Sequence, residues 1–325
     1  MENYQFRKYS IIANKIINEA SKYYVGSRDI LIKVLAAMLV NGHILFEDHP
    51  GLGKTLLAKT ISRLIDAKFT RVQFTPDLLP ADILGTMVWR AHKGIFELVK
   101  GPIFTNILLA DEINRAPPKT QSALLEAMEE KQVTIEGKTY QMDKPFIVLA
   151  TQNPLEYEGT YPLPEAQLDR FTMRLETGYP STIEEEKEII LRRLRWRTDD
   201  PTKTIRPIIS RSDFIMMQNI VETKIYVDDS IIEYIATIIR EIRRDPRVEA
   251  GPSPRGDLAL LKLSRALAFI KGRDFVLPDD IKFIAIDSLA HRIVLKADTI
   301  FEGISSKDII KEALSKVVVP KQVEE

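Results

Sequence analysis

The sequence predicts an α/β chain: a core with a parallel sheet flanked by helices and a nucleotide phosphate loop, followed by a helical second domain. Three observations carry this. Short apolar runs at 43–46, 71–74, 107–110 and 146–150 alternate with helical stretches, as parallel strands buried on both faces do. A strand, a glycine-containing loop and a helix follow one another over 43–65, with Gly-Leu-Gly-Lys-Thr at 51–55. After Pro180 the short apolar runs stop and helical periodicity alone remains. The expected boundary lies near 178–181, giving domains 1–180 and 181–325.

The elements follow in order. Ile11, Ile12, Ile16 and Ile17 recur at helical spacing. A second helix starts near Ser27, an N-cap residue type, and runs through Ile30, Leu31, Val34, Leu35 and Met38. The run 43–46 is too short for a helix and reads as a strand. The helix that follows the loop covers 54–65. Residues 85–103 and 133–142 alternate like hairpins, the second with Gly137 at its turn. The second half reads as helices over 184–196, 213–222, 230–243, 257–270, 280–292 and 307–317.

Composition narrows the function classes. The chain has 325 residues and no cysteine, which removes disulfides, thiolate metal sites and cysteine nucleophiles together. Its four histidines are scattered and give no zinc spacing. Lys and Arg total 46 against 46 Asp and Glu, so the surface as a whole is not built to grip nucleic acid or anionic lipid. The N-terminus MENYQFRKYS has no apolar core of a signal peptide. The longest apolar stretch, 30–40, is interrupted by Lys33 and is too short to span a bilayer. A cytoplasmic protein without membrane insertion is expected.

The loop carries the first chemistry. Pro50, Gly51, Leu52, Gly53, Lys54, Thr55 and Leu56 form an anion cradle. The glycines let backbone amides curl around a phosphate, and the new helix adds unpaired N–H groups at its positive end. Lys54 reaches β- and γ-phosphates, and the Thr55 hydroxyl binds Mg²⁺. A full phosphate-loop pattern has a glycine where Asp48 stands; Asp tolerates left-handed backbone, so the turn is expected to survive.

The run 106–112 ends in Asp111 and Glu112 at the carboxyl end of a strand, where open α/β sheets bind ligands. Asp111 is expected to hold Mg²⁺ and Glu112 to orient the attacking water. Asn153 ends the next strand; its amide could hold that water, or it could simply form an Asn-Pro turn. Arg170 closes a short proline-opened helix, where it either neutralises its own helix dipole or serves a phosphate. Arg255 sits in the first turn of a helix capped by Ser253, where the dipole disfavours a cation by about 0.3–1 kcal/mol. An anion site explains that placement; a pair with Asp257 is the other reading. The arginines 192, 193, 195 and 197 end a helix that begins with three glutamates, which suits the dipole better than a nucleic-acid patch.

The strings EDHPGLGKTLLAKT (47–60), LLADEINRAPPKTQSALLEAMEE (108–130), ATQNPLEYEGTYPLPEAQLDRF (150–171) and GPSPRG (251–256) resemble the AAA+ ATPases, and within them the MoxR family. The resemblance covers nearly the whole chain. It implies an AAA+ core with two hairpin insertions, an all-helical lid, and ATP with Mg²⁺ bound between subunits of a homo-oligomeric ring, usually a hexamer. By resemblance, Val25 and Gly26 line the adenine pocket, Asn153 is sensor 1, Arg170 an arginine finger acting on the neighbouring subunit and Arg255 sensor 2. Arg115 is placed to reach across the subunit interface. The family implies chaperone-like action on a client protein, with partners carrying a von Willebrand factor A domain. A DNA-translocating motor like the MCM helicases predicts a basic pore hairpin, yet the tip Glu136-Gly137-Lys138 carries one charge of each sign. A nucleotide-switched scaffold would not need Glu112 beside sensors and a finger.

Overall fold

A computed structural model describes residues 2–154 and 159–320; the 155–158 part of the 150–171 string lies outside it, as do the last five residues of the second domain. Two helices open the chain, α1 (Glu2–Ala20) and α2 (Arg28–Leu39). The Ser27 hydroxyl caps α2 by accepting from the Asp29 amide at 3.2 Å. Then come β1 (Ile44–Glu47), α3 (Lys54–Leu64), β2 (Phe69–Gln73), α4 (Pro80–Leu84), β3 (Gly85–Arg90), β4 (Ile95–Lys100), β5 (Ile107–Asp111) and α5 (Pro118–Glu130). β6 (Gln132–Ile135), β7 (Lys138–Gln141), β8 (Ile147–Gln152), α6 (Glu165–Leu168) and β9 (Met173–Leu175) complete the first half.

Five strands form one parallel sheet in the order β2-β5-β8-β1-β9. The register pairs Gln73 with Asp111, Ala110 with Ala150 and Phe46 with Thr151, so the carboxyl ends lie level. Alternate residues go to opposite faces. Ile44, Phe46, Leu109 and Leu149 pack on one side with α1, α2 and α3. Leu45, Leu108, Ala110 and Val148 pack on the other with α5. The edge strand β9 has three residues with Arg174 in the middle, too short to show a period. Both expected hairpins form, β3 with β4 and β6 with β7. Glu136 and Gly137 turn the second with φ of 48° and 75°, the left-handed pair that a two-residue hairpin loop requires.

The second half holds α7 (Ile183–Trp196), α8 (Arg211–Lys224), α9 (Asp229–Arg244), β10 (Val248–Ala250), α10 (Pro254–Ile270), α11 (Pro278–Leu289), β11 (Val294–Leu295), α12 (Ala297–Phe301) and α13 (Ser306–Lys316). It is not purely helical, because β10 and β11 pair antiparallel. Four of these helices begin one or two residues earlier than expected, directly after the caps Thr182, Ser210, Asp228 and Ser305, while α10 begins at Pro254 behind Ser253, the expected cap. α9 buries Ile231, Tyr234, Ile235, Ile238, Ile239 and Ile242 at helical spacing on one face.

The opening helices join this half to the sheet. Phe6 meets Phe269 edge-on at 5.6 Å between ring centroids. Lys33 of α2 pairs with Asp287 of α11 at 2.6 Å. One buried cluster therefore runs from the sheet face through α1 and α2 into α10 and α11. No helix among the described residues is long and apolar enough to cross a membrane.

Candidate active site

The loop leaving β1 bends through two left-handed glycines, Gly51 at φ 84° and Gly53 at φ 78°, and α3 begins directly at Lys54. Residues other than glycine resist both angles, so this path of the loop calls for glycine at both positions. Lys54 Nζ donates to the carbonyls of Asp48 and His49, each at 3.2 Å. Burial lowers the Lys54 pKa, and the nearby carboxylates of Asp48 and Asp111 oppose that shift.

Asp48 does not take the left-handed backbone expected of it, being absent from the positive-φ residues. Its side chain explains its presence instead. The carboxylate accepts from the amides of Thr177 and Gly178 and from the Thr177 hydroxyl at 2.8 Å. The phosphate loop is thereby tied to the strand exit that leads into α7.

The carboxyl end of β5 carries the acidic pair. Asp111 Oδ1 accepts from the Thr151 hydroxyl at 2.6 Å, and Oδ2 accepts from Arg71 Nε at 3.0 Å. Glu112 follows in left-handed backbone, φ 56°, with its amide donating to Thr151 Oγ1 at 2.8 Å. Its carboxylate accepts from Gln73 Nε2 at 2.5 Å and pairs with Arg115 Nε at 2.9 Å. Arg115 thus holds its own chain's acid. Arg71 and Gln73 escape a sequence reading; the available signal is two long polar side chains two apart on one strand, aimed the same way.

Lys54, Thr55, Asp111, Glu112 and Asn153 line one cleft of about 430 Å³ together with Pro50, Gly51, Leu52, Gly53 and Leu56. A second cleft of about 500 Å³ shares Pro50, Gly51, Leu52, Gly53 and Leu56 and adds Val25, Gly26, Tyr24, Tyr179 and Trp196. Burial pushes the Tyr24 phenol up to about 12, so it stays neutral there. The first cleft is lined by charged and hydroxyl side chains and the second by aromatic rings, which gives room for an anion in one beside a flat apolar group in the other. Among the described residues no group of three or more acidic or histidine side chains could hold a metal alone. Thr55 and Asp111 instead offer the hard oxygen donors with which Mg²⁺ is held beside a substrate's phosphates.

Arg170 and Arg255 lie elsewhere. They line a different cleft with Asp169, Arg292 and Lys262. Arg255 pairs with Glu129 and lies 3.7 Å from Asp169; Arg170 Nη1 lies 3.3 Å from the same Glu129. Asp257 pairs with Arg243 at 3.0 Å, which leaves Arg255 to the cleft. Asp169 is clamped by Arg292 and by the Ser253 hydroxyl at 2.8 Å. Neither arginine faces its own chain's phosphate loop.

Residues 43–173 match the ATPase family associated with various cellular activities (AAA), and residues 240–313 match the AAA lid domain. The uncharacterised Bacillus subtilis protein YeaC is 49% identical, with 96% of each chain covered. Chaperone MoxR1 of Mycobacterium tuberculosis is 40% identical over 94% of this chain and 82% of that one. A Cytophaga hutchinsonii crystal structure superposes with a TM-score of 0.90 at 42% identity, covering 98% of both chains.

Proposed function

The chain belongs to the MoxR family of AAA+ ATPases, and from that premise we propose that it hydrolyses ATP within a homo-oligomeric ring, a hexamer by family habit, and uses the cycle to remodel or activate a client protein. One observation supports this most. Cation, hydroxyl, paired carboxylates and amide converge on one cleft, while the two arginines face away from it. Positioning and charge stabilisation suffice for phosphoryl transfer to water. Lys54 and the N-terminal amides of α3 hold the phosphate oxygens. Thr55 and Asp111 would hold Mg²⁺, which would supply positive charge against the phosphates. Glu112 accepts a hydrogen bond from the attacking water, and Asn153 holds that water from the other side. Gln73 and Arg115 fix where the carboxylate sits. The water oxygen bonds to the γ-phosphorus as the bridging bond breaks, leaving ADP and phosphate. Arg170 and Arg255 of the next subunit offset the developing charge, an effect worth about 10³–10⁵ in rate for an arginine supplied in trans.

Steady-state phosphate release tests the reading. Glu112→Gln is expected to lose about 10²–10⁴-fold in turnover while binding ATP as wild type does. Mixing subunits disabled by Lys54→Ala with subunits disabled by Arg170→Ala should restore turnover, since some interfaces then hold both intact parts. No recovery on mixing would exclude action in trans. The Glu112→Gln chain, locked with ATP, is the bait with which the client is isolated; a partner with a von Willebrand factor A domain belongs to the same proposal, as does a cytoplasmic site of work.

A further inference from the structure

Helix α1 turns one face inward and the other out. Phe6, Tyr9, Ala13, Ile16 and Ile17 go to the core. Tyr4, Lys8, Ile11 and Lys15 fall on the opposite side, spaced four, three and four residues apart, with Arg7 beside them. Tyr4 is 75% and Ile11 69% exposed.

Other cations gather round the first half of this helix. The Tyr9 hydroxyl donates to Asp213 Oδ1 at 2.9 Å, which sets the start of α1 against the first turn of α8, where Arg211 is exposed. Tyr24, past the end of α1, borders Gly53 before α3, so the two packed helices run antiparallel and Arg63 lies toward the start of α1. The Ile208 amide donates to the Leu64 carbonyl at 2.8 Å, which lays the segment carrying Arg206 on that same end of α3. Among the described residues none of Arg7, Lys8, Lys15, Arg63, Arg206 and Arg211 pairs with a carboxylate, whereas Arg71, Arg174, Arg247 and Arg292 each hold one. The nearby acids are engaged, Asp213 by Tyr9 and Ser210, Asp200 by Lys59 and Glu19 by Lys22. Asp66, past the end of α3, stands against six cations. In a chain with 46 basic and 46 acidic residues such a surplus is local, and its self-repulsion is relieved when an anion covers it. The patch lies at the far end of α3 from the phosphate loop, about 15 Å along the helix axis.

What covers this face has to be anionic and has to bury Tyr4 and Ile11 as well. A phosphate backbone offers charge to the cations and nothing to the two apolar side chains between them. A bilayer takes up a helix whose apolar face is turned outward, and α1 has that face in the core. A helix with carboxylates flanking an apolar row matches both features. We propose that the outer face of α1, with the end of α3 and the start of α8, docks an acidic amphipathic helix of a partner protein. This surface requires neither ring assembly nor ATP hydrolysis.

Fluorescence anisotropy of the full chain with a labelled synthetic peptide, Glu and Leu set at helical spacing, tests it. Wild type should bind this peptide, more weakly as salt rises. Lys8→Glu with Lys15→Glu, both at exposed positions, should weaken binding about tenfold, and Ile11→Ser severalfold, with ATP binding and melting temperature as in wild type. A peptide of the same composition in scrambled order should bind less well than the ordered one. No binding by wild type overturns the proposal, as does equal binding of ordered and scrambled peptides or of wild type and the double variant. Duplex DNA or phosphatidylglycerol vesicles bound more tightly than the peptide, and lost in the double variant, would give the face to phosphate and overturn the protein partner. Because the chain has no cysteine, benzophenone maleimide on Ile11→Cys gives a second readout without charge reversal. Photolysis should crosslink position 11 to the ordered peptide; crosslinks confined to the chain itself would overturn the proposal.

Discussion

Lys131 closes α5 in left-handed backbone, φ 53°, with Nζ 2.6 Å from His43 Nε2. His43 Nδ1 accepts from the Val148 amide at 2.9 Å, so Nε2 carries the ring proton and donates to the Met128 carbonyl at 3.0 Å. An ammonium has no lone pair for that proton, whereas a neutral amine does. Burial, with Lys262 adding repulsion, lowers Lys131 to about 8 from 10.5. Between those two values the unfolded chain holds a proton that the folded chain has released, so stability rises with pH through that window; below about 8 the cost is fully present. Lys131→Met should therefore be more stable than wild type at pH 7 in urea melts, with the gap closing as pH climbs from about 8 to 10.5. A pH-independent gap would refute this. Arg71 makes a second case, since its guanidinium already occupies Asp111 Oδ2, one of the two oxygens that carboxylate has to offer a cation. Arg71→Met should lower severalfold the Mg²⁺ concentration needed for half-maximal nucleotide binding; an unchanged or higher requirement would show that Arg71 does not compete. Lys54, Thr55, Asp111 and Glu112 are legible because each motif is local in sequence. Arg71, Gln73, Glu129 and Asp169 are not, because their partners come from register and from contacts up to 126 residues away.

At the scale of elements, the phosphate loop and the start of α7 share one carboxylate, that of Asp48. Asp48→Ala removes three hydrogen bonds from Thr177 and Gly178, each worth about 1.5–3 kcal/mol when it involves a charged group. Hydrogen exchange should quicken at the 177 and 178 amides, and nucleotide should no longer protect 183–196 from exchange. Unchanged protection over α7 would mean that the two segments communicate by another route. The position of Asp48 in the loop string was visible in the sequence. Its role was not, since a side-chain bond to residue 177 leaves no local pattern. The hairpins were legible from their alternation, and the helices from their period. β9, β10 and β11 were hidden because two or three residues cannot display a period.

Across the whole molecule, residue 180 marks a change in sequence pattern and a crossing of the chain, while the packing continues past it. Leu31 and Leu35 of α2 share a buried cluster with Leu263 and Leu267 of α10. Residues 1–180 expressed alone should therefore expose that cluster and aggregate or bind a hydrophobic dye; a soluble monomer that melts cooperatively would contradict this. The apolar pattern could announce each helix but not the helix it lies against, so this continuity was out of reach of the sequence. It has a mechanical consequence. A lid that shares its oil with the helices beneath it has little slack of its own, and bending it would mean opening a dry seam to water. In the proposed ring, compliance is displaced from the inside of each copy to the joints between copies, so the work of each ATP is felt as one stiff block turning against the next.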